Sequence, residues 1–89
     1  MPVTSQWLVF NRVMLHRLAG VVTLDDASIT DRLARVYLEM GTPPVHSIVD
    51  RRQATQMPYH VKALRDTLHG LKHPHNGWFI VVSDPEPLV

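Results

Sequence analysis

The sequence predicts an α/β domain: a mixed, mainly parallel four-stranded sheet in the order ββαβαβ, with two helices. Three observations carry that expectation. Short runs rich in aromatic and β-branched residues recur along the chain. Two longer stretches between them carry apolar residues at helical spacing. Glycine, proline and asparagine clusters separate the two kinds of segment.

The first strand is expected at Gln6–Phe10 and the second at Val13–Leu18, with Asn11 and Arg12 turning the chain between them. One long bent strand would satisfy the same pattern. Apolar residues fall on both faces of each run, which suits a sheet covered by helices on at least one side. Thr23 then offers a hydroxyl to cap a helix, and Asp25 and Asp26 suit the positive end of its dipole. Ile29, Leu33, Val36, Tyr37 and Met40 form one apolar stripe, which predicts a helix packed on the sheet. Asp31 precedes Arg35 by one turn, the favourable order for an ion pair. Gly41 is expected in the left-handed stop conformation, and Pro43 and Pro44 prevent continuation.

Val45–Val49 reads as a buried central strand ending at Asp50, followed by a polar loop over residues 51–56. Pro58 suits the first turn of a second helix, whose apolar stripe is Val61, Leu64, Leu68 and Leu71. Residues 73–77 carry turn chemistry, and Trp78–Val82 is the clearest strand. Helices between strands imply parallel neighbours joined by right-handed crossovers, here with both helices on one face.

Eighty-nine residues make one domain, spanning 1–89. Nine basic residues against eight acidic ones, for a net charge of +1, predict no field strong enough to hold nucleic acid. The absence of cysteine excludes disulfides, thiolate nucleophiles and cysteine-ligated zinc, and fits a reducing, cytoplasmic setting. No apolar run approaches the ~20 residues of a membrane span. Arg12 and Arg17 without an acid in the first 24 residues resemble a transit peptide, but the β-formers there favour strands.

Residues 18–23 (Leu-Ala-Gly-Val-Val-Thr), 48–50 (Ile-Val-Asp) and 77–80 (Gly-Trp-Phe-Ile), taken with the element order, resemble the STAS/SpoIIAA-like group of small α/β regulatory domains. The resemblance covers most of the chain and rests on pattern rather than on a diagnostic motif. It implies a SpoIIAA-like fold and a switch by phosphorylation of a Ser or Thr where the helix after the central strand begins. Here that stretch, residues 50–58, has Thr55 as its only hydroxyl. The group's domains also continue through a further helix, strand and final helix, so the resemblance implies a member shortened at its C-terminal end. Its last strand is then an open edge, for which a second copy is the simplest cover and a truncated form of a longer domain the other explanation.

Among chemistry-bearing residues, His16, His46, His60, His69, His73 and His75 are numerous for this length. His73 and His75 form an H-x-H pair able to ligate zinc or nickel, but a third ligand would have to come from His69 or another chain, and a polar turn is the plainer reading. His46 reads as a hydrogen-bonded core histidine, with a catalytic base as the rarer case. Asp50 stands at the carboxyl end of a strand, where open α/β sheets bind ligands, and Arg51 and Arg52 follow it. Together they can hold a phosphate, a hydroxyl or a partner's charged side chain, or Asp50 can simply cap the loop. No glycine-rich phosphate loop and no nucleophile elbow is present, so no cofactor is expected.

The expected function is therefore a non-enzymatic regulatory or protein-binding module. Its candidate surface is Asp50, Arg51, Arg52, Thr55 and Tyr59, its partners an unidentified protein and a second copy. The alternative is a small-molecule or lipid-binding domain similar to the SEC14-type lipid carriers, and an enzyme using His46 or Asp50 as a base ranks last.

Overall fold

The computed structural model describes residues 2–56 and 72–83. Four strands and one helix follow in the order β1 (Val3–Val9), β2 (Val13–Val21), α1 (Leu24–Met40), β3 (Val45–Gln56) and β4 (Asn76–Val82). They form one sheet in the spatial order β1-β2-β3-β4.

The β1–β2 pair is an antiparallel hairpin in which Ser5 faces His16 and Trp7 faces Met14. Asn11 closes its turn at φ 64°, a left-handed conformation that asparagine tolerates better than most residues. The hairpin decides between the two readings of residues 6–18: they form two strands. β3 then runs parallel to β2, and β4 parallel to β3.

The expectation of a mainly parallel sheet with two helices is corrected. The sheet is mixed, with an antiparallel hairpin on one side and parallel pairings on the other, and among the described residues it carries one helix. The Asn11 turn folds β1 back on β2, and the antiparallel pairing that results makes up one side of the sheet. The second helix was expected over residues 58–70, which lie outside the described residues.

α1 starts as its sequence indicates. Thr23 is the N-cap, and Asp26 returns the bond: the Asp26 amide donates to Thr23 Oγ1 at 3.2 Å, while the Thr23 amide donates to Asp26 Oδ2 at 2.9 Å. This reciprocal box satisfies donors that the first helical turn otherwise leaves without partners. The end of α1 differs from expectation. Gly41 is extended (φ −80°, ψ 173°), not left-handed. Glycine is needed there for space, because a Cβ would meet Val45 Cγ2 at 2.7 Å and the Asn11 carbonyl oxygen at 2.8 Å.

The orientation of α1 also departs from its hydrophobic pattern. Thr30, Asp31 and Leu38 are buried, with Ala34 and Tyr37 packed beside them, while Ile29, Leu33, Val36 and Met40 are exposed. The predicted stripe therefore points largely away from the sheet. Small residues on the buried face let the helix approach β2 closely enough for Leu38 to reach Met14 and Val45. A second cluster of Val3, Leu18 and Val22, with Val49 and Ala54 against it, holds the other end of the sheet. Among the described residues, no helix is long and apolar enough to cross a membrane.

β3 is longer than expected. Residues 51–56, read as a polar loop, continue the strand to Gln56, whose carbonyl oxygen accepts from the Val22 amide at 2.8 Å. Their polar composition misled the reading, because exposed strand positions take polar side chains as readily as loops do.

Candidate functional site

Side chains alternate along the strands, so the sheet presents two different surfaces. Facing α1 are Ser5 and Trp7 of β1, Met14 and His16 of β2, and Val45 of β3, with Ser47 and Val49 lining a cavity there. Arg17 and Asp50, which alternate with His16 and Val49, stand directly opposite each other in register on the other surface.

Asp50 is consequently not at the end of a strand, as the sequence suggested, but in the middle of β3. Two residues along the same strand, Arg52 closes on it. The Arg52 Nε donates to Asp50 Oδ1 at 2.9 Å, an Arg52 terminal nitrogen donates to Oδ2 at 2.8 Å, and the Arg52 amide also donates to Oδ1 at 3.1 Å. This is the bidentate fork that guanidinium and carboxylate geometry favours. The side-chain and amide bonds from Arg52, aided by the charges of Arg52 and Arg17, lower the Asp50 pKa to about 2. The carboxylate is thus charged at every physiological pH.

An irregularity in β3 builds the site. Arg17 pairs with Asp50, but Ala19 pairs with Gln53, so β3 inserts one extra residue between those rungs. Such a bulge bends the strand and redirects side chains. The result is a groove of about 220 Å³ lined by Arg17, Leu18, Asp50, Arg52 and Gln53. Asp50 and Arg52 of the expected surface thus come together. Arg51 sits beside them in the strand. Thr55 is exposed and lies within β3, near its end, and Tyr59 lies outside the described residues. Arg17 and Gln53 escaped the sequence reading. The signal for them is strand register, which an insertion hides.

The histidines divide by surroundings. His16, on the α1 side, is 1% exposed. Its Nδ1 lies 2.7 Å from Ser5 Oγ and its Nε2 lies 3.0 Å from Met14 Sδ, an arrangement that suits a neutral ring protonated at Nε2. Burial lowers its pKa to about 4. Beside it lies a small cavity of about 40 Å³ whose walls include Ala34, Leu38, Val49 and Phe79 as well as Asp31 and Ser47. His46 accepts the Trp78 amide proton on Nδ1 at 2.8 Å. That contact ties β3 to β4 and explains Gly77, where a Cβ would fall 2.5 Å from the same nitrogen.

His73 and His75 are occupied with each other and with α1. The His75 amide donates to His73 Nδ1 at 3.0 Å, His73 Nε2 meets Glu39 Oε1 at 2.6 Å, and His75 Nδ1 donates to the Leu38 carbonyl oxygen at 2.9 Å. The hydrogen bond from His73 and its charge hold the Glu39 carboxyl below its ordinary pKa. Among the described residues no three His, Asp or Glu side chains converge as metal ligands do. His60 and His69 lie outside the described residues. Comparison with family models, curated proteins and solved structures returned no match.

Proposed function

We propose that this chain is a non-enzymatic protein-binding module of regulatory type, and that its working surface is the groove at Arg17, Asp50, Arg52 and Gln53. The observation that carries the reading is the Arg52 guanidinium, fixed in plane by Asp50 beside Arg17. Among the described lining residues, two guanidiniums stand against one carboxylate, an excess of positive charge. A carboxylate on an acidic segment of a partner protein matches that charge and the donor geometry. A general base needs a pKa near the working pH, and a carboxylate at about 2 is far from it. The module would thus act by contact, as STAS-like regulatory domains are expected to, but through a sheet face rather than a phosphorylated helix start.

The alternative of a small-molecule or lipid-binding domain draws less support. Ligand pockets are typically about 300–1,000 Å³, whereas the space between α1 and the sheet is about 40 Å³ among the described residues. The test is a titration of the ¹⁵N-labelled chain with a short glutamate-rich peptide, followed on the arginine Nε–H and glutamine side-chain signals. Saturable shifts at Arg17, Arg52 and Gln53 that vanish in Arg17→Gln are expected. Equal shifts with a lysine-rich peptide, or none with either, would overturn the reading.

A further inference from the structure

α1 carries an apolar stripe that no cluster among the described residues takes up. Ile29, Leu33, Val36 and Met40 are 38%, 40%, 51% and 60% exposed. On an ideal helix they fall within an arc of roughly 60°, away from the buried Thr30, Ala34 and Leu38. The spacing of the stripe is symmetric: four residues separate Ile29 from Leu33, and four separate Val36 from Met40. Read from either end, it presents the same pattern.

The charged border of the stripe has the same property. Arg32 and Glu39, both exposed, lie along one edge of it, seven residues apart. Glu39 remains 69% exposed even while one of its oxygens holds His73. When a second α1 is laid across the first in the opposite direction, Ile29 meets Met40 and Leu33 meets Val36. Like edges then face each other, so Arg32 of each copy comes beside Glu39 of the other. A two-fold interface requires exactly this kind of self-complementary patch.

We infer that the exposed face of α1 is a dimerisation surface for a second copy of this chain, packed antiparallel, with paired Arg32–Glu39 contacts at its border. One helix pair is at the small end of specific interfaces, so the association is expected to be weak and reversible. The inference does not depend on the proposed groove, which lies on the opposite surface of the sheet. It places the two grooves of a dimer on its outer sides.

Light scattering over concentrations up to millimolar, together with cysteine cross-linking, tests it, and the natural chain has no thiol to interfere. The expected results are a concentration-dependent dimer and a Kd weakened roughly tenfold or more by Leu33→Glu or Val36→Glu. Both sites are exposed, and circular dichroism reports whether either variant loses its fold. Oxidation should link a double Ile29→Cys, Met40→Cys variant between copies and leave Ile29→Cys alone unlinked. A monomer at every concentration, a dimer indifferent to both glutamates, or ready linkage of Ile29→Cys to itself would each overturn the inference.

Discussion

Acidification should unfold this domain earlier than its carboxylates alone require, and the cause is His16. In the unfolded chain this ring titrates near 6.5, whereas burial lowers it to about 4 in the folded protein. Between those values the unfolded state binds a proton that the folded state refuses. His16 therefore costs nothing above pH 6.5, and stability falls progressively as the pH drops from 6.5 to about 4. At about 1.4 kcal/mol for each pH unit, the full loss is about 3 kcal/mol. A domain of this length has on the order of 5–10 kcal/mol in total, so the effect is a large share. Urea unfolding of the natural chain and of His16→Gln, across pH 7.5 to 4, isolates it from the other histidines. The natural chain should lose about 3 kcal/mol more than the variant over that window. Parallel pH profiles for the two, or an NMR titration of His16 centred near 6.5, would refute the reasoning.

Other expectations concern backbone and charge. Thr23→Ala removes the hydroxyl of the capping box and should lower stability by about 1 kcal/mol in chemical denaturation. Gly77→Ala forces a Cβ against His46 and disturbs the Trp78 amide bond, so a loss of about 1–3 kcal/mol is expected. Gly20→Ala meets open space but must hold φ +69°, and should cost about 1 kcal/mol, measurable in the same melts. Asp50 titrates low in the folded state, so its contribution is present above pH 3.8 and is lost as the pH falls through about 2. Asp50→Asn should remove that part of the acid transition, which far-ultraviolet circular dichroism between pH 4 and 2 would show.

Much of the architecture was legible where local chemistry and tertiary packing agree. The Asn11 turn, the Thr23 cap and the apolar run of β4 each have one good structural solution, and the chain adopts it. The reading failed where a residue's partner lies far away in sequence. The α1 stripe correctly announced a helix but not its rotation, because Thr30 and Ala34 allow a closer approach to β2 than the bulkier stripe would. Asp50 and Arg52 were visible as a pair of types, while Arg17 joined them only through strand register. His16 is buried with Met14 and Leu18, which alternate with it along β2, but Leu15 on the other face is buried too, so the alternation alone did not single it out.

The arrangement of the sheet also sets an order of assembly. The β1–β2 hairpin closes over a short turn, so it can form before any distant contact is made. Parallel pairing of β3 with β2 has to wait for the whole of α1 to be laid down, and β4 has to wait for β3. A transition state polarised toward the hairpin follows from this. Substitutions at the Asn11 turn should then slow folding, whereas those in β4 should mainly hasten unfolding.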